Sequence, residues 1–205
     1  MATVIVLANH KGGVTKATSA GNIGAMLAER GSRVLLIDGD PQANLSELFG
    51  VAPEAPGERL EDLLENPEAA GRIEPRPALG DGVGDGVAWR ERLRLIAATG
   101  DLADVAAELP VAVGEGYELR LREIVDALRD RFDFILIDTP PGLGNLSDVA
   151  LLAADRVLIP AQPADFDVRA TGKVPGRGRA GRAQPWAAGA GGAARADRSA
   201  LAHPP

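Results

Sequence analysis

The sequence predicts an α/β domain built on a mostly parallel sheet with helices on both faces. Three observations carry that expectation. Short apolar runs alternate with stretches of helical period, two of the runs end in Asp, and a glycine-rich segment joins the first run to the first helical stretch. A parallel strand is covered on both faces, so it reads as an unbroken apolar run, and strands separated by helices assemble into a parallel sheet.

Taken in order, residues 4–8 form the first buried strand. Residues 16–30 form a helix with Ile23 and Leu27 on one face and Gly31 as its stop. Residues 34–37 make a second strand and residues 60–65 a short helix. Residues 71–86, rich in Gly and Pro, read as a surface excursion. Residues 93–97 make a third strand. Residues 118–130 place Leu121, Ile124, Val125 and Leu128 at helical spacing. Residues 134–137 are a further apolar strand, 147–154 a helix, and 157–159 the last strand that can be placed.

Composition divides the 205-residue chain in two. Residues 172–205 hold ten Ala, seven Gly and four Pro, with six basic residues against one Asp and little apolar bulk. Such a segment cannot offset its ordering entropy by burial, so it is expected to be a disordered tail. The body, residues 1–171, carries 16 basic and 28 acidic residues, whereas the whole chain has a net charge of -7. That balance argues against a generally basic nucleic-acid binder. The absence of Cys excludes a disulfide scaffold, a thiolate metal site and a cysteine nucleophile. Two His without an HExxH pattern argue against a histidine-built metal site. No apolar run approaches the roughly 18 residues needed to cross a bilayer. The start lacks the basic region of a signal peptide, so a cytoplasmic protein is expected.

Chemistry concentrates in three segments. The first, Lys11, Gly12, Gly13, Val14, Thr15, Lys16, Ala17 and Thr18, follows a strand and opens a helix. Small residues let the backbone curl so that its amides face a phosphate, and the helix N-terminus adds positive potential. Lys16 would reach the terminal phosphates. Lys11 would contact phosphate in its own subunit or across a dimer interface, stabilising negative charge on a transferring phosphoryl group. The usual pattern is GxxxxGK[ST], and this chain departs from it twice. Thr15 replaces the last glycine, a change free of strain only where φ is negative. Ala17 replaces the hydroxyl that would coordinate Mg²⁺. Thr18, one residue on, would point elsewhere, and water would fill the vacancy. Nucleotide binding is therefore expected to survive better than hydrolysis.

The second segment is Asp38-Gly39-Asp40-Pro41-Gln42-Ala43-Asn44 at the end of a strand. Asp40 is placed to orient or deprotonate an attacking water. Asp38 either supports a Mg²⁺ shell or forms a turn or helix cap, and Asn44 is a candidate for holding phosphate or the loop. The third segment is an apolar strand ending in Asp138, which a rigid strand would present to a water-coordinated Mg²⁺. Thr139-Pro140-Pro141-Gly142 then forms a stiff loop that either reports on the terminal phosphate or simply connects strand to helix. Gln162, Asp165 and Arg169 are weaker candidates for base, partner or polyanion contacts. His10, Trp89 and Tyr117 read as local packing or surface residues.

KGGVTKAT at 11–18, LIDGDPQANLS at 36–46, FDFILIDTPPGLG at 132–144 and AADRVLIPAQP at 153–163 together resemble the ParA/Soj partition ATPases of the deviant Walker A class. The resemblance covers residues 1–171 and implies a P-loop NTPase-like sheet, here incomplete at its C-terminal side. It implies ATP and Mg²⁺ as cofactors, an ATP-dependent homodimer, a nucleoid-associated location, nonspecific DNA binding and a ParB-like partner that stimulates hydrolysis, with no membrane partner. By resemblance Lys11 acts across the dimer, Lys16 is the phosphate-loop lysine, Asp40 positions the hydrolytic water and Asp138 is the Walker B acid. Two departures bear on activity. Ala17 stands where the family has a metal-binding Thr, and the later elements that complete the sheet and supply much of the dimer and DNA surface are replaced by the 172–205 tail. The rival expectation is a nucleotide-binding or regulatory remnant of the same fold without useful turnover.

Overall fold

A computed structural model describes residues 1–9, 15–52, 59–78, 89–142 and 144–161. Six strands are hydrogen-bonded in one sheet: β1 (Thr3–Leu7), β2 (Val34–Asp38), β3 (Arg76–Pro77), β4 (Leu93–Ile96), β5 (Phe134–Asp138) and β6 (Arg156–Leu158). Their order across the sheet is β3-β4-β2-β5-β1-β6. All pairings are parallel except the short β3–β4 pair. The helices are α1 (Lys16–Glu29), α2 (Asn44–Leu48), α3 (Leu60–Glu65), α4 (Leu102–Val113), α5 (Arg120–Leu128) and α6 (Asn145–Ala153).

Strand alternation explains why both faces are covered. Leu35 and Ile37 of β2, with Ile135 and Ile137 of β5, point into a core shared with α3, α4, α5 and α6. Val34 and Leu36, with Leu136, point into a second core formed with α1 and α2. Residues two apart share a face, so a doubly covered strand must be apolar at every position. On α5, Leu121, Ile124, Val125 and Leu128 are buried as their spacing requires.

α1 meets the sheet differently from expectation. Its buried line is Ala20, Gly21, Gly24 and Ala28, while Ile23 and Leu27 flank it partly buried. A Cβ at Gly24 would stand 2.8 Å from Leu36 Cδ2, and one at Gly21 would stand 2.7 Å from Leu48 Cδ2. Small residues let the helix lie close to β2 and α2, and the larger ones fill the margins.

Three elements escape the sequence reading. β3 lies inside the expected surface excursion, where its register pairs Arg76 with Leu95; residues 79–86 of that segment are outside the described residues. α2 is only five residues long. α4 runs through Pro110. A proline inside a helix removes the N–H that would bond the carbonyl four residues earlier, here that of Ala106. Asn145 Nδ2 donates to that carbonyl at 3.2 Å, so α6 supplies the missing donor and the helix continues. The 172–205 tail and Gln162, Asp165 and Arg169 lie outside the described residues.

Candidate functional site

The parallel register sets the site. Asp38 and Asp138 are Cα partners at the ends of adjacent strands, and Leu7 of β1 is level with Asp138. Gly39 crosses next to β5, donating its N–H to Asp138 O at 3.1 Å. A Cβ on Gly39 would lie 2.5 Å from that same oxygen, so only glycine lets the chain turn here. The turn carries Asp40 to the same strand ends as Asp138.

There a cavity of about 600 Å³ opens. Its described lining includes Thr15, Lys16, Ala17 and Thr18 from the start of α1, Asp40, Gln42 and Asn44 from the β2–α2 turn, and Asp138. The structure thus brings together Lys16, Asp40, Asn44 and Asp138 from three separate segments of the sequence. Thr18 also lines it, against the expectation that it would point elsewhere. Lys11, Gly12, Gly13 and Val14, together with His10, lie outside the described residues.

Thr15 corrects a second expectation. Its φ is 56°, in the left-handed region, not negative. The glycine of the usual pattern occupies this conformation freely, whereas an L-residue is strained by roughly 1–2 kcal/mol. The strain is held by the helix that follows, beginning with Ser19 N to Thr15 O at 2.8 Å. Ala43, before α2, shares this geometry with φ 52°.

The charges in the cavity floor are unequal. Lys16 is only 7% exposed, and its charge acts on Asp138. Asp138 is itself buried, and among the described residues its Oδ1 has no hydrogen-bond partner. Burial, then the neighbouring Asp38 charge, pushes its carboxyl up to about 7, while Lys16 pulls the other way. Asp40 hydrogen-bonds its own turn, its Oδ1 accepting from Gln42 N at 3.0 Å.

Asp38 does not line the cavity, which departs from the expected metal-shell role. Its Oδ2 accepts from both the amide and the hydroxyl of Ser46 at 2.7 Å, and its Oδ1 accepts from Asp40 N at 3.2 Å. Burial pushes it up to about 6 against those hydrogen bonds. The turn-forming alternative therefore describes its geometry. Two further ties lie at the strand exits. Thr139 Oγ1 donates to Leu7 O at 2.8 Å, and Asn9 Nδ2 donates to Pro160 O at 2.7 Å.

The donor set fits a hard dication. A buried carboxylate, its proton affinity raised by burial and then by the Asp38 charge, with one oxygen lacking a partner among the described residues, is what a Mg²⁺ shell would relieve. Among the described residues, no group of three or more acidic, His or Cys side chains forms a ready-made cage. That matches a metal held by one or two carboxylates, substrate phosphates and water. Among the described residues no helix is long and apolar enough to cross a membrane.

A parallel sheet with a buried lysine opening a helix, faced by strand-end acids, defines the P-loop NTPase class. A family model described as an AAA domain matches residues 2–173. The chain is 36% identical over 162 residues to the sporulation initiation inhibitor protein Soj of Bacillus subtilis, covering 79% of this chain and 59% of that protein. To the chromosome-partitioning ATPase Soj of Treponema pallidum it is 40% identical over 162 residues, covering 79% and 58%. The chain belongs to the ParA/Soj family of P-loop partition ATPases.

Among solved structures it is similar to apo McdA of Cyanothece, with TM-score 0.69, 26% identity, and 83% and 62% of the two chains covered. It is also similar to cobyrinic acid a,c-diamide synthase from Mycobacterium smegmatis with bound ATP analog and magnesium, with TM-score 0.64, 35% identity, and 79% and 61% covered. A third is pNOB8 ParA bound to nonspecific DNA, with TM-score 0.56, 27% identity, and 83% and 57% covered. This chain spans under two thirds of the length of these relatives.

Proposed function

We propose that the cavity binds Mg·ATP and that the chain is a partition-type ATPase, acting as an ATP-dependent dimer. The observation that carries the reading is the convergence of Lys16, Asp40 and Asp138 on one cavity at the strand ends. Lys16 neutralises the terminal phosphates from the first turn of α1. The amides of the 11–15 loop cradle the phosphate chain, and Lys11 contributes charge to the transferring group. Asp40 orients the attacking water and accepts its proton. Asp138 would hold Mg²⁺ together with the nucleotide, and the ion would supply charge stabilisation at the phosphoryl group. Asn44, first residue of α2, contacts phosphate or steadies the turn. The relative solved with an ATP analog and magnesium supports this cofactor assignment, and the pNOB8 structure supports DNA as a partner. On this reading the stimulator is a ParB-like protein and the location is cytoplasmic and nucleoid-associated.

Ala17 favours a second reading, nucleotide binding without useful turnover, because a methyl group lines the cavity where a hydroxyl would coordinate metal. Calorimetric titration of the purified chain with Mg·ATP and Mg·ADP tests the shared step. Lys16→Ala is expected to weaken binding by at least about tenfold, the loss of a charge-assisted phosphate contact. Metal-dependent turnover that rises on Ala17→Thr supports the ATPase. Binding without turnover, even with DNA and a partner protein present, supports the second reading. No binding of either nucleotide removes both.

A further inference from the structure

We propose that Ser46 is a positioning residue for this site: by clasping the buried Asp38 carboxylate, it fixes where Asp40 stands in the cavity. The catalytic consequence rests on the ATPase reading above, whereas the positioning role rests on the geometry alone. Ser46 belongs to α2, is 1% exposed and is not among the cavity-lining residues.

Its hydroxyl is fully used. It has one proton, donated to Asp38 Oδ2 at 2.7 Å, and it accepts from Ala98 N at 3.2 Å. The Ser46 amide donates to the same Asp38 oxygen at 2.7 Å. Asp38 Oδ1 in turn receives Asp40 N at 3.2 Å. One side chain therefore links the end of β4, the end of β2 and the backbone of the acid that faces the cavity.

The turn between them needs such a clasp. It contains Ala43 at φ 52°, a conformation that a residue with a Cβ does not keep without support. Ala43 N donates to Asp40 O at 2.8 Å, and Asp40 Oδ1 takes Gln42 N, so the first half of the turn is braced by Asp40. Ser46 braces the second half. Without its hydroxyl, the buried Ala98 N–H loses an acceptor and Asp38 loses one of its donors, leaving the Asp40–Ser46 turn tied to Asp38 by backbone amides alone.

The test uses the full chain with Ser46→Thr, which keeps the hydroxyl, and Ser46→Val, which has the same shape without it. Ser46→Ala is the third variant. Hydrogen exchange is followed at the amides of residues 40–46 and in β1 and β5. The expected result is that Val and Ala variants exchange about tenfold faster at residues 40–46 with β1 and β5 unchanged, while the Thr variant stays close to wild type. Mg·ATP affinity is expected to hold within about threefold while the single-turnover rate falls about tenfold in Val and Ala, separating positioning from binding. Equal behaviour of the Thr and Val variants, unchanged exchange in Val and Ala, or faster exchange throughout the sheet would overturn the proposal. If the wild-type chain binds ATP without turnover, the ATPase reading fails and the exchange pattern alone decides the role of Ser46.

Discussion

Replacing Gly39 by Ala tests how tightly the two acidic strand ends are packed together. The added Cβ would lie 2.5 Å from Asp138 O, 3.7 Å from Asp138 C and 3.9 Å from Ile137 Cγ2. An ordinary carbon–oxygen approach is about 3.3 Å, so an overlap of about 0.8 Å must be relieved. The obstructing atom is backbone in a central strand, and it also accepts the Gly39 N–H, so no side chain can swing aside. Overpacking of this kind costs typically about 1–3 kcal/mol, partly offset by the roughly 0.4–1 kcal/mol that Gly→Ala gains from a stiffer unfolded chain. At about 2–4 °C per kcal/mol for a chain of this size, a cost of about 2 kcal/mol lowers Tm by roughly 4–8 °C. Gly100→Ala is the control, because nothing lies within 4 Å of its built Cβ. Thermal melts of both variants, with Mg·ATP titrations, give the comparison. If Gly39→Ala melts with Gly100→Ala and binds nucleotide as wild type does, the close approach does not shape the site.

Two other perturbations probe the buried acids at the strand ends and the contact between α4 and α6. Asp38 is raised to about 6 and Asp138 to about 7 from the ordinary value of 3.8. The folded state thus holds protons that the unfolded chain releases. That stability is fully present below about pH 4 and is lost as pH rises through about 6 to 7. The Tm of nucleotide-free protein should fall across that window, and Asp138→Asn should flatten its upper part; a Tm that rises instead refutes the raised carboxyls. Asn145→Ala should remove the donor to Ala106 O and cost about 1 kcal/mol of stability, read by urea unfolding, whereas Asn145→Asp with no loss would show that the amide donor is not the support.

The fold was legible where burial dictates pattern. Residues 34–37 and 134–137 are apolar at every position because both faces are covered, and α5 spaces its four buried residues helically. The acids of the site were legible because they end such runs. What escaped depends on partners distant in sequence. At Pro110 of α4, the Ala106 carbonyl that the proline leaves without its helical donor is taken up by Asn145, 39 residues away in sequence. α1 buries its glycines rather than Ile23 and Leu27 because Leu36 and Leu48 press against them. Local pattern also left Asp38 between two roles, and Ser46 decides between them. The positive φ of Thr15 had a signal, the glycine that the loop pattern ordinarily carries there.

The exits of β1, β5 and β6 are bolted crosswise, with the Thr139 hydroxyl on Leu7 and the Asn9 amide on Pro160. A platform cross-braced in this way resists sliding of one strand past another. Under the Mg·ATP reading, any movement on nucleotide binding is expected in the turns that follow these strands and not between the strands themselves.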